Sequence, residues 1–166
     1  MAANPADRPP ADRPPADRPQ AETPDRVATA VGAAMLSRDQ ASQALGIALE
    51  AIGQGFARTS MPVRPDMVNG HGLCHGGMIF TLADTAFAYA CNADNCVTVA
   101  QGAQITFIAA AHEGDRLTAS ATRQSAQGRT GVYDVTVTDH TGRMVALFRG
   151  NSYRIKGEVV PDLKTS

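Results

Sequence analysis

The chain contains no tryptophan, and aromatic residues make up only 5% of it. A core must therefore be built from Ala, Val, Ile, Leu and Met. Cysteine is sparse: the three residues are Cys74, Cys91 and Cys96. An odd, thin set of this kind argues against a disulfide framework and fits reduced thiols in a cytoplasmic protein. No run reaches the ~18 apolar residues of a membrane-spanning helix, so no membrane role is expected. The N-terminal residues lack the basic, then apolar, order of a secretory signal. A large charge of one sign is missing too. The formal net charge is −1, and without a basic field no nucleic-acid partner is expected. No G-x-G-x-x-G follows a strand and no G-x-S-x-G is present, which removes the dinucleotide fingerprint and the serine-hydrolase elbow. His71, Cys74 and His75 cluster, with Cys91 and Cys96 beyond them, but this spacing matches no zinc pattern. Neither a metal nor another cofactor is expected.

What is present divides the 166 residues into a biased tail and one domain. Pro-Ala-Asp-Arg-Pro occurs three times between residues 5 and 19, and seven of the ten prolines lie in the first 24 residues. Such a segment has too little apolar surface to offset its ordering entropy, so residues 1–23 read as a disordered tail of polyproline II character. The domain is expected over residues 24–158, with residues 159–166 as a short C-terminal tail.

Thr23-Pro24-Asp25 reads as a helix start. Val27, Val31, Met35 and Leu36 follow at helical spacing within a region running to Leu45, which Gly46 ends. Ile47–Ile52 and Phe56–Val63 read as strands around the turn Gly53-Gln54-Gly55. Pro62, Pro65 and Gly70 mark a loop. A helix then opens at two glycines and is apolar from Met78 to Ala90 apart from Thr81, Asp84, Thr85 and the Tyr89 hydroxyl, the pattern of a buried helix. Val97–Ala109, Arg116–Ser125, Thr130–Thr138 and Val145–Ile155 read as long antiparallel strands between short turns. One buried helix and one antiparallel sheet predict an α+β domain in which a curved sheet wraps around the helix.

The segment His75-Gly76-Gly77-Met78-Ile79-Phe80-Thr81-Leu82-Ala83-Asp84 carries the chemistry. A buried carboxylate needs partners or a task, because desolvating it costs several kcal/mol or shifts its pKa. The glycines let another group approach the backbone, and the amides that open a helix are donors to an anion. At a rise of ~1.5 Å per residue, Gly76 and Asp84 lie about 12 Å apart along one axis. One substrate carbonyl cannot touch both on the same helix. It can do so if two copies of the helix run antiparallel across a two-fold axis, giving two equivalent sites at an isologous dimer interface. An oxyanion would then meet one chain's helix N-terminus, while the other chain's carboxylate attacks the acyl carbon or activates water. A thioester suits such a site, because its leaving thiol needs no strong general acid.

The motif His75-Gly76-Gly77-x-x-Phe80-x-Leu82-Ala83-Asp84 resembles that of the hot-dog-fold acyl-CoA thioesterases, most closely the branch serving bacterial phenylacetate degradation. Asn69-Gly70-His71-Gly72 before it, Thr85 to Asn92 after it, and the later stretches Thr130–Val135 and Val145–Gly150 extend the resemblance over about residues 27–157. The resemblance implies the hot-dog fold and hydrolysis of phenylacetyl- or hydroxyphenylacetyl-type CoA thioesters to the free acid and CoA. It gives Asp84 the role of nucleophile or general base, and the Gly76 amide that of polarising the carbonyl, with Gly77 beside it. Asn69 would position the water or the carboxylate, and His75 would support the glycine turn or contact the thioester. CoA would be held by Arg129, Thr130, Arg149 and Ser152, and the assembly would be a homotetramer, a dimer of dimers. Two competing readings remain open: a non-catalytic protein that binds acyl-CoA on the same fold, and a hot-dog hydratase or dehydratase, which would carry its His and acid at another spacing.

Overall fold

The computed structural model describes residues 26–163. The proline-rich tail and the helix start at Thr23-Pro24-Asp25 lie outside the described residues. Two helices begin the fold, α1 (Arg26–Arg38) and α2 (Gln40–Leu45). The sequence predicts one continuous helical region here. The break falls at Asp39, whose side chain accepts the Ser42 N–H at 3.0 Å and caps α2. Gly46 closes α2 in the left-handed conformation, φ 70°. A hairpin follows, β1 (Ala48–Gly53) and β2 (Phe56–Pro62), then a single 3-10 turn at Pro65–Met67 and the long helix α3 (Gly76–Asn92). Four strands complete the chain: β3 (Cys96–Phe107), β4 (Arg116–Gln127), β5 (Thr130–Thr138) and β6 (Met144–Glu158).

All six strands form one antiparallel sheet in the order β1-β2-β4-β5-β6-β3. β5 alternates buried and half-buried residues along its length, as a strand with one face on a core must. The buried face receives α3. Leu82, Ala83, Ala86, Phe87 and Ala90 of the helix share a core with Ala57, Leu117, Ala119, Val135, Val137 and Phe148 of the sheet. Phe87 sits edge-on to Tyr133 at 5.4 Å and tilted against Phe148 at 5.9 Å. In the absence of tryptophan, small Ala and Val residues pack around the buried aromatics Phe87, Tyr89, Tyr133 and Phe148, and around Met61 and Met67.

The buried-helix expectation holds for most of α3 but not for all of it. Gly77 is exposed, and Thr81, Asp84 and Ala88 are only half-buried. These four positions, spaced by four, three and four residues, form one stripe that the described residues leave uncovered. β3 is likewise open. Among the described residues it lies at one edge of the sheet, paired only with β6, and is exposed from Val99 to Gln104. Val99 is 44% and Phe107 51% accessible.

Candidate active site

The loop before α3 is tied down by backbone bonds that no periodicity could reveal. Cys74 N–H donates to Ala111 O at 2.8 Å and His75 N–H to Met67 O at 2.8 Å. Inside the loop, the Asn69 side-chain oxygen accepts from His71 N–H (2.9 Å) and Leu73 N–H (3.3 Å). This Asx-type turn holds Asn69 beside the helix entrance, with no bond at its amide nitrogen among the described residues. His75 is the N-cap of α3, and its Nδ1 accepts from Gly77 N–H at 3.1 Å. The neutral ring therefore carries its proton on Nε2. Met78 N–H donates to His75 O at 2.8 Å and Ile79 N–H reaches the same oxygen at 3.4 Å. Of the amides opening the helix, that of Gly76 is left without a partner among the described residues. The tip of the Phe107 ring lies against the Gly76 Cα, so close that a Cβ there would stand 2.9 Å from Phe107 Cζ.

Two turns further along, Asp84 points from the uncovered stripe into a cavity of about 320 Å³. Met35, Phe87, Ala88, Cys91 and Val99 supply its apolar walls. Burial pushes the Asp84 carboxyl up from its ordinary value, and no bond or charge among the described residues offsets that push. A desolvated carboxylate with no partner is the state expected of a base or nucleophile. Cys91 does not compete for that role. Its thiol is pushed up to about 12, by burial first and by the Asp84 and Asp94 charges further down the order of causes, so it stays protonated near neutrality.

The residues expected to hold CoA divide into two places. Arg129, Thr130 and Ser152 meet at a small cavity of about 30 Å³ beyond the C-terminal end of α3. Arg123, Arg154 and Asp94 join them there, three residues the sequence reading did not single out. No local pattern could have found them, because the register of β4, β5 and β6 brings them together. Arg154 bonds Asp94 at 2.5 Å, and Ser152 is buried with its hydroxyl 3.4 Å from Gly131 O. Arg149 lies elsewhere. Alternate residues of a strand face opposite sides, so it projects from the face away from Ser152 and holds Asp134 through both arms of its guanidinium at 2.6 and 2.7 Å. Among the described residues no group of three or more His, Cys, Asp or Glu is placed to hold a metal ion, and no helix is long and apolar enough to cross a membrane.

A curved antiparallel sheet around one long helix, with a capped glycine turn at its start and a lone carboxylate at its middle, is the hot-dog arrangement. Residues 71–146 match the family model described as the thioesterase superfamily. The acyl-coenzyme A thioesterase PaaI of Escherichia coli is 45% identical over 126 residues, 76% of this chain and 90% of that protein. The chain therefore belongs to the hot-dog thioesterase superfamily. The structure of the E. coli PaaI protein from the phenylacetic acid degradation operon superposes with a TM-score of 0.80 at 43% identity, covering 82% of this chain and 99% of that one. A mutant of the phenylacetic acid degradation protein PaaI from Thermus thermophilus superposes at 0.68 with 34% identity, covering 70% and 100%.

Proposed function

We propose that this protein is an acyl-CoA thioesterase of phenylacetate catabolism, hydrolysing phenylacetyl- or hydroxyphenylacetyl-type CoA thioesters to the free acid and CoA. The observation that carries the reading is the desolvated Asp84 carboxylate in a largely apolar cavity, on the same helix as a Gly76 amide, neither with a partner among the described residues. The identity to E. coli PaaI supports the substrate class. The site needs two chains, because the amide and the carboxylate of one α3 stand about 12 Å apart. The uncovered Gly77-Thr81-Asp84-Ala88 stripe and the exposed edge of β3 are where the second chain packs. Two such dimers make the tetramer.

In each site the thioester oxygen accepts from the Gly76 N–H of one chain while the acyl carbon faces Asp84 of the other. Asp84 either takes a proton from water as the water oxygen attacks, or attacks the carbon itself to form a mixed anhydride that water then opens. By either route the tetrahedral oxyanion is held at the helix N-terminus, the carbon–sulfur bond breaks and CoA leaves as the thiolate. Asn69 orients the water or the carboxylate, and the His75 cap keeps the Gly76–Gly77 turn aimed. The CoA phosphates lie against Arg129 and Thr130, with Arg123 adding charge; Ser152, expected beside them, is buried, and Arg154 is taken by Asp94. The reaction so written draws on no cofactor. Three free thiols support a cytoplasmic location.

Thiol release from a panel of acyl-CoAs tests the proposal. Phenylacetyl-type substrates are expected to turn over, and Asp84→Asn to lose at least about 10²-fold in kcat/KM, the scale of a missing acid–base group. A wild type that hydrolyses nothing on the panel would overturn it in favour of a binding protein on the same fold.

A further inference from the structure

The cavity beside Asp84 does not end in the body of the domain. Its walls include Met35 of α1 and Val159, just past β6. The same two residues wall a second, more open trough of about 380 Å³, whose remaining lining is Arg38, Asp39, Val97 and Glu158. Met35 and Val159 thus form a partition common to both spaces. On the inner side of that junction stands the reactive carboxylate. On the outer side, apolar Val97 gives way to a charged rim. We propose that Met35 is the stop of the acyl pocket: it sets how long an acyl group the enzyme accepts, and the trough behind it is the path a longer chain would follow.

Both walls of the junction are fixed from the chain's two ends. The Arg38 guanidinium donates to Val159 O at 2.9 Å, tying the end of α1 to the segment after β6. Asn95, in the left-handed region at φ 65°, clasps the next residue: its amide donates to Val160 O at 3.0 Å and its oxygen accepts from Val160 N–H at 2.9 Å. Val159 therefore cannot drift outward. Met35 is an unbranched, flexible filler that closes irregular space without strain. At about 320 Å³ the inner cavity lies at the lower end of the range for small-molecule sites, enough for a compact aryl-acetyl group against Met35. Met35 and Val159 are the walls that the inner cavity shares with the outer trough, so they are placed to limit chain length. The inference rests on Asp84 marking the acyl end of the site.

The experiment compares wild type, Met35→Ala and Val159→Ala on phenylacetyl-, hexanoyl- and decanoyl-CoA. Binding of the matching non-hydrolysable CoA thioether ketones is measured by calorimetry on the same proteins. Shaving either wall is expected to raise the decanoyl-to-phenylacetyl ratio of kcat/KM by about tenfold or more, the scale set by one or two methylene contacts in an apolar pocket. The analogue affinities should move the same way. Two variants from opposite ends of the chain guard against one that fails to fold. Ratios that stay within about twofold of wild type in both variants, while wild type turns over normally, would overturn the role of Met35 and leave the thioesterase reading standing. If wild type binds the ketones but cleaves no thioester, the thioesterase reading fails. An affinity ratio that shifts in the variants still supports the stop, and an unchanged one overturns it.

Discussion

In the role proposed for it, Asp84 sets function against stability at a single residue. Its carboxyl is raised by burial, and no partner lowers it again. A group whose folded-state pKa lies above its unfolded value binds its proton more tightly when folded. Its share of stability is therefore full below the unfolded pKa and is lost as pH rises through the folded one. At neutral pH the ionised side chain works against the fold. Asp84→Asn removes the charge and keeps the shape, so the variant should melt at a higher temperature than wild type at pH 7–8. The difference should close as pH falls below the ordinary aspartate range. Differential scanning calorimetry across that span checks it, and an Asn variant that melts lower at pH 8 would mean that Asp84 has a stabilising partner. The same desolvation places the acid limb of kcat/KM above the ordinary carboxylate range, because only the ionised form can attack or accept a proton.

Helix α3 and strand β6 show how an element becomes a support for the site. Phe87 lies three residues after Asp84 and packs on the β6 backbone where Gly150 leaves space. A Cβ at Gly150 would stand 2.9 Å from three atoms of that ring, and Tyr133 and Phe148 hold the ring from two other directions. With nowhere for the ring to go, Gly150→Ala should cost about 1–3 kcal/mol, the usual range for overpacking a core. A urea midpoint unchanged from wild type would show that the helix slides freely over the sheet. Much at this scale was legible in the sequence. The glycine-opened helix and the four late strands were readable because their period and their turns are local. The expectation that Gly76 and Asp84 work together rests on the same kind of local signal, since both lie on one short motif. The break between α1 and α2 was not, because a single cap at Asp39 interrupts a helical pattern that otherwise runs on to Leu45. The gathering of Arg123, Arg154 and Asp94 with Arg129, and of Met35 with Val159, was equally hidden. Those neighbours are set by strand register and by the chain ends folding back, which no window of sequence contains.

For the whole molecule the decisive question is which chain supplies each half of a site. Among the described residues the sheet stops at β3 with its outer edge unpaired, and the open stripe of α3 carries the carboxylate. If two chains join there, each site takes its amide from one and its acid from the other. Gly76→Pro is the matching partner for Asp84→Asn, because it deletes the N–H and nothing else the helix needs. Position 76 is the first residue of α3, where proline is well tolerated. His75, before it, is already extended at φ −62° and ψ 132°, as a residue preceding proline must be. The Phe107 ring tip would have to give way, and it sits on an exposed strand. Each variant alone should be nearly inactive. Co-expressed in equal amounts, half of the dimers pair one variant with the other. Each such dimer carries one site with both lesions and one with neither. The mixture should recover about a quarter of wild-type activity, as statistical pairing across an isologous interface requires. Sites built within a single chain would recover none, because every chain in the mixture carries a lesion.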